Sequence, residues 1–122
     1  MVSLNKDLPL KCIDLFAGVG GIRLGFEQAC KDLGYNTECV FTSEIDDWAC
    51  QTYRKNFPND GHDPKSDVTK VDETQLPDFD VLLAGFPCQA FSIAGKIGGF
   101  EDTRGTLFFD VARIIKEKRP KA

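Results

Sequence analysis

Two stretches of this 122-residue chain combine residue types that do chemistry, and a third residue complements one of them. The first stretch is Asp14-Leu15-Phe16-Ala17-Gly18-Val19-Gly20-Gly21. Its glycines let a backbone turn sharply and come close to a ligand. A helix opening there presents free amides and a positive dipole end to a carboxylate or phosphate. Phe16 stands where it could cover a flat ring. Glu44 follows 26 residues after Gly18, near the offset at which an acidic side chain takes ribose hydroxyls in dinucleotide folds. The glycine spacing differs from G-x-G-x-x-G. Two readings therefore stand: a nucleoside-containing cofactor, or a tight structural turn with an exposed Glu. The second stretch is Gly85-Phe86-Pro87-Cys88-Gln89-Ala90-Phe91-Ser92. A cysteine after proline, beside such a turn, is a candidate nucleophile if its site favours the thiolate over a thiol of pKa about 8.5. The alternative is a buried filler cysteine. His62, the only histidine, lies in a distant polar loop, and no spacing joins it to Cys88.

These residues need elements to hold them. Leu10-Lys11-Cys12-Ile13-Asp14-Leu15-Phe16 reads as a strand running into the first glycine turn. Ile22, Phe26, Ala29, Cys30 and Leu33 then share a helical face that Gly34 ends. Cys39-Val40-Phe41-Thr42-Ser43 is a second strand. Asp46 is placed to cap a helix carrying Ala49, Tyr53 and Phe57, which Pro58 stops. After a loop over 58–65, a very short strand is expected at Ser66-Asp67-Val68. The apolar run 79–85 is a fourth strand, and Leu107, Phe108, Val111, Ile114 and Ile115 mark a last amphipathic helix. The alternation predicts an α/β fold with a mainly parallel sheet and right-handed crossovers. Both chemical stretches fall at carboxyl ends of strands, where such sheets bind ligands.

Composition sets the frame. Hydrophobic residues are 42% and charged residues 28%, the balance of a folded domain, and the length allows one domain over 1–122. No apolar run approaches the roughly 20 residues of a membrane span, and the first ten residues lack a secretory core. Five cysteines without a close pair argue against a disulfide framework or a zinc site and for a reducing compartment, with the cytoplasm expected. The net charge is −4, yet residues 113–122 hold Arg113, Lys116, Lys118, Arg119 and Lys121 against Glu117 alone. Nucleic-acid binders usually show a broad basic face. This short one fits either a solvated last helical turn or a phosphate site.

The two stretches, with Ser43-Glu44-Ile45-Asp46 and Asp102-Thr103-Arg104-Gly105-Thr106-Leu107-Phe108, resemble the motifs of the cytosine-5 DNA methyltransferases, especially the bacterial restriction–modification type. The likeness runs in register over nearly the whole chain. Pro87-Cys88-Gln89 is its most specific part, because amino-group methyltransferases carry Pro-Pro and use no thiolate. The resemblance implies a Rossmann-like fold that binds S-adenosylmethionine, incomplete here, with about four mainly parallel strands in the order 3-2-1-4. It implies that Phe16, Ala17, Gly18, Gly20 and Gly21 line the cofactor site and that Glu44 takes the ribose. Ile45, Asp67 and Val68 would meet the adenine, and Pro87 and Leu107 complete the pocket. Val68 and Leu107 also suit plain apolar packing. Cys88 would attack C6 of a cytosine flipped from duplex DNA. Gln89, Ser92, Lys96 and Arg104 would approach that DNA.

The family continues past the last helix with a Glu-Asn-Val strand, an Arg-x-Arg pair, a target-recognition domain and a final cofactor motif, for which no residues stand here. The expectation is therefore an amino-terminal portion of a bacterial catalytic domain, inactive alone and binding cofactor weakly. Its strand 79–85 is expected at a sheet edge, inviting self-association or a complementing carboxy-terminal half. Two rivals are an RNA cytosine-5 methyltransferase, whose branch tends to carry a second proline where Phe86 stands, and a non-catalytic cofactor-binding remnant.

Overall fold

The computed structural model describes residues 6–85 and 103–122, with side chains from 107 onward in the second span. Strand β1 (Leu10–Leu15) is followed by helix α1 (Gly21–Asp32), strand β2 (Thr37–Ser43) and helix α2 (Asp47–Asn56). Two single 3-10 turns, Val68–Lys70 and Glu73–Gln75, lead to strand β3 (Val81–Ala84) and helix α3 (Thr103–Lys118). The described strands form one parallel sheet in the order β2-β1-β3. β1 pairs with β2 from Leu10↔Thr37 to Leu15↔Ser43, and with β3 from Cys12↔Val81 to Leu15↔Ala84. All three strands therefore end on one edge, where the first glycine turn leaves β1. Among the described residues no helix is long and apolar enough to cross a membrane.

The period-2 alternation of β1 divides the molecule into two layers. Ile13 and Leu15 join Val68, Leu76, Phe79, Val111 and Ile114 in an apolar core against α3. Asp14 turns to the opposite face, toward Tyr53 of α2. Cys12, Cys30, Cys39 and Cys50 are buried free thiols, in keeping with their reading as packing residues. In α3, Val111 and Ile114 are buried as expected, while Phe108 and Ile115 are 44% and 43% exposed. In α1, Cys30 is buried but Ile22 and Leu33 are exposed, and the buried partner is Arg23.

Among the described residues three strands are present where about four were expected. The Ser66-Asp67-Val68 strand is reduced to one parallel bridge, Glu44↔Lys65, held by Glu44 N–H to the Pro64 carbonyl (2.9 Å) and Ser66 N–H to the Glu44 carbonyl (3.1 Å). Pro64 has no N–H to extend the ladder backward. Forward, the Asp67 carboxylate accepts the Thr69 N–H at 3.0 Å and bends the chain into a 3-10 turn. The bridge still lies beside β2, so the spatial sequence of segments keeps the expected order.

The outer edge of β3 is met by the last two residues. Leu82 N–H donates to the Ala122 carbonyl at 2.8 Å and Ala122 N–H to the Asp80 carbonyl at 3.1 Å, the bonding pattern of a parallel pair. Of the basic residues at this end, Lys116 and Arg119 are exposed, Lys116 in the last turn of α3, whereas Arg113, Lys118 and Lys121 have protein partners. Arg113 donates to the Val68 and Val71 carbonyls, both at 2.8 Å, and pairs with Glu73 and Asp110. Lys118 donates to the Leu76 carbonyl at 2.9 Å, and Lys121 pairs with Asp80. The 3-10 turns leave carbonyls without ladder partners, and Arg113 and Lys118 donate to them.

Candidate cofactor-binding site

The turn after β1 holds three residues in the left-handed region: Phe16 at φ 53°, Gly18 at φ 58° and Gly20 at φ 95°. Glycine enters that region freely, whereas Phe16 does so at a cost of roughly 1–2 kcal/mol. Strain of this kind concentrates at ligand-binding turns. The glycines differ in what surrounds them. A Cβ on Gly20 would lie 2.3 Å from Cε2 of Phe57 and 3.2 Å from a Tyr53 ring carbon, so Gly20 faces into the protein. A Cβ on Gly18 or Gly21 would meet nothing within 4 Å, so these positions face open space. Gly20 is also the N-cap of α1 and, having no side chain, contributes no capping bond to the first amides of the helix.

Glu44 lies against this turn. Its Oε1 accepts the Gly18 N–H at 2.8 Å and its Oε2 accepts the Asp46 N–H at 2.8 Å. Ala17 N–H donates to the Ser43 carbonyl at 3.2 Å beneath that contact. Each carboxylate oxygen has a second lone pair, so the orientation is fixed while acceptor capacity remains. Asp46 occupies the expected N-cap position of α2, but its side chain makes no capping bond; its backbone serves Glu44 instead.

The other expected site residues are arranged along the same edge. Ile45 is 64% exposed, and its carbonyl accepts from Lys65 Nζ. The Ser43 hydroxyl donates to the Ser66 carbonyl at 2.9 Å, tying the end of β2 to the segment that carries Asp67. Asp67 Oδ1 accepts from the Thr69 hydroxyl (2.7 Å) and N–H, and these bonds hold its carboxyl below the usual range. Val68 is buried in the apolar core; Phe16 and Leu107 are partly buried against it. Gly85, at the end of β3, donates its N–H to the Leu15 carbonyl at 3.3 Å, and a Cβ there would lie 2.9 Å from Ile22 Cδ1. The backbone thus leaves β3 on the edge where Gly18 and Glu44 lie, four residues before Cys88. Pro87, Cys88, Gln89, Ser92 and Lys96 lie outside the described residues, and Arg104 is placed only by the backbone of α3.

Beneath the turn is a buried polar network that sequence reasoning missed. Arg23, 5% exposed, donates to both Asp60 oxygens at 2.6 and 2.7 Å and to the Tyr53 hydroxyl at 3.0 Å. Its guanidinium stacks 3.8 Å above the Phe57 ring. The Tyr53 hydroxyl donates to Asp14 Oδ2 at 3.0 Å and is 3.1 Å from the Thr42 hydroxyl, which meets His62 Nε2 at 2.8 Å. Burial pushes the Asp14 carboxyl up to about 7, against the opposing pull of the Tyr53 bond. The available signal was a cation in the first turn of α1. There the helix dipole disfavours it, so it requires an acidic partner. A cleft of about 450 Å³ adjoins this network, lined by the end of α2 and residues 58, 60–64 rather than by the glycine turn.

The arrangement is a glycine turn with an open side, an uncapped helix start and an oriented carboxylate, all on the carboxyl edge of a parallel sheet. It suits a ligand with a charged end and vicinal hydroxyls. Comparison with known proteins agrees. A family model described as C-5 cytosine-specific DNA methylase matches residues 10–122. Over 112 residues the chain is 61% identical to the Type II methyltransferase M.NgoBV of Neisseria gonorrhoeae, covering 92% of this chain and 26% of that protein. It is 54% identical over 112 residues to M.HhaI of Haemophilus parahaemolyticus, covering 92% and 32%. Among solved structures it resembles a substituted form of Spodoptera frugiperda DNMT2, with a TM-score of 0.62 and 25% identity over 87% of this chain and 31% of the other. The chain thus spans about a quarter to a third of the length of these relatives. With the turn, the oriented Glu44 and the match over 10–122 in agreement, the chain belongs to the C-5 cytosine-specific DNA methylase family.

Proposed function

We propose that this chain is the cofactor-binding and nucleophile-bearing part of a DNA (cytosine-5-)-methyltransferase that uses S-adenosylmethionine. The observation that carries the reading is the Gly18–Glu44 contact at the open side of the glycine turn. The fit is good: no Cβ fills the cradle at Gly18 or Gly21, and Glu44 keeps acceptor capacity beside it. Phe16, Ala17, Gly18, Gly20 and Gly21 form the turn that receives the charged end of the cofactor, and Glu44 takes its ribose hydroxyls. Ile45 and Asp67 flank the adenine, with Val68, Pro87 and Leu107 on its apolar side. S-adenosylmethionine, when bound, supplies an electrophilic methyl group.

The protein's own chemistry rests on Cys88. Its thiolate forms a bond to C6 of a cytosine turned out of the duplex and shifts the C5=C6 electron pair toward C5. Once C5 carries the methyl group, its proton passes to water, the C5–H electron pair restores the C5=C6 double bond, and the C–S bond breaks to return the thiolate. Gln89, Ser92, Lys96 and Arg104 hold the DNA around the flipped base. The chain alone is expected to be inactive, and to act with a complementing carboxy-terminal half.

A methyl-transfer assay on cytosine-containing duplex DNA tests this, with labelled cofactor, the chain alone and the chain plus the remaining sequence of a relative. Transfer only in the mixture, abolished by Cys88→Ala, is expected. Transfer that survives Cys88→Ala contradicts the assigned nucleophile, and no transfer in the mixture contradicts the enzymatic reading.

A further inference from the structure

The last turn of α2 meets the glycine turn along one stripe. Tyr53, Asn56 and Phe57 are at i, i+3 and i+4, and such residues share a helical face. Asn56 Nδ2 donates to the Val19 carbonyl at 2.8 Å. Phe57 and Tyr53 fill the space in which a Gly20 side chain would stand. Their rings pack 4.6 Å apart, and Arg23 clamps both from α1. Other hydrogen bonds join the turn to itself and to β2 and its end. Gly20 N–H donates to the Ala17 carbonyl at 2.9 Å, Ala17 N–H to Ser43, and Gly18 N–H to Glu44. At the tip, the Val19 carbonyl is held by a side chain from another element, 37 residues along the chain.

We infer that Asn56 is a positioning residue of the cofactor turn: through the Val19 carbonyl it holds residues 17–20 so that the Gly18 amide reaches Glu44, and it thereby sets cofactor affinity. The inference rests on the cofactor reading above and adds a residue remote from the bound molecule. Phe57 supports the same turn by contact, but removing a ring from under Gly20 would disturb packing as well. Asn56 lies on the exposed side of α2, so its substitution reports on the bond itself.

The test uses the purified chain, Asn56→Ala and the near-isosteric Asn56→Asp, which cannot donate. Binding of labelled S-adenosylmethionine is measured by equilibrium dialysis, and amide exchange is followed by NMR without ligand. Both variants are expected to bind about five-fold more weakly, the effect of one neutral hydrogen bond. The Gly18 and Gly20 amides should exchange faster, while those of β1 and β2 keep their rates. Unchanged affinity in variants of a chain that binds cofactor overturns the inference and leaves the cofactor reading intact. Faster exchange spread evenly through β1 and β2 also overturns it, because that is the mark of general destabilisation. No binding by the unaltered chain overturns the cofactor reading and this inference with it.

Discussion

The two faces of β1 are built on different principles. Ile13 and Leu15 on one face enter an apolar core with Val111 and Ile114 of α3, where shape and volume are what matter. Asp14 on the other face enters a network of Tyr53, Thr42, Arg23, Asp60 and His62, where each group depends on a named partner. The apolar face holds α3 to the sheet. The polar face also reaches the glycine turn, because Tyr53 and Phe57 belong at once to the network and to the space under Gly20. Disturbance there is transmitted to the site, whereas disturbance of the apolar face is spread through the fold.

The largest expected effect comes from breaking the polar face at its charge pair. Arg23→Ala leaves the partly buried Asp60 without its bidentate partner and empties the buried site of the guanidinium, and loss of about 4 kcal/mol is expected by urea denaturation. A loss under about 1 kcal/mol would place the pair in solvent-like surroundings and erase the contrast between the faces.

Asp14→Asn probes the polar face through its pH dependence. The folded protein holds this carboxyl at about 7 against an ordinary 3.8, so the folded state keeps a proton that the unfolded state gives up. The stability contributed by the protonated carboxyl is full below the unfolded value and declines as pH rises from about 4 to about 7. Asn keeps an acceptor for Tyr53 and does not titrate. Its stability relative to the unaltered chain should therefore rise across that window by about 4 kcal/mol and level off above it. Urea midpoints that stay parallel from pH 4 to 8 would contradict this.

On the apolar face, Ile114→Ala should cost about 3 kcal/mol, mainly from the cavity it leaves. It should leave the relative exchange rates of the Gly18 and Gly20 amides unaltered. A selective rise at those amides would mean that the two faces are not separate.

The smallest stability effect is expected at Gly18→Ala. Its φ of 58° costs about 1 kcal/mol with a side chain, and no atom stands in the way. The methyl group would nonetheless occupy the open side of the turn, so cofactor binding should fall far more than stability. Gly20→Ala should show the reverse emphasis, since its Cβ collides with Phe57. Equal losses of stability in the two variants would contradict the different roles assigned to them.

Much of this was legible in the sequence where a local rule applied. β1, β2, α1 and α2 follow the change from period 2 to period 3.6, and the glycine turn falls where its residues place it. β3 falls within the predicted strand at 79–85, whereas the strand expected at Ser66-Asp67-Val68 does not form, because Pro64 and the Asp67 cap act on hydrogen bonding, which the apolar pattern does not record. The polar network was not legible either: Arg23 finds Asp60 and Tyr53 at 37 and 30 residues' distance, and only folding joins them. The partners of Arg113 and Lys118 were hidden for a similar reason, since these side chains bond to carbonyls at 68, 71 and 76 that become available only once the 3-10 turns form. Within the site, the sequence marked Gly18 and Gly20 alike, and their surroundings alone distinguish the open one from the packed one.

In the proposed function the carboxyl edge of the sheet binds S-adenosylmethionine through Glu44 and the turn at Gly18. Equilibrium dialysis of the labelled cofactor against the chain and its Glu44→Ala variant tests it most directly. Saturable binding by the chain, weakened at least about ten-fold in the variant, is the predicted result. Equal binding by both, or no saturable binding by the chain, would contradict the assignment.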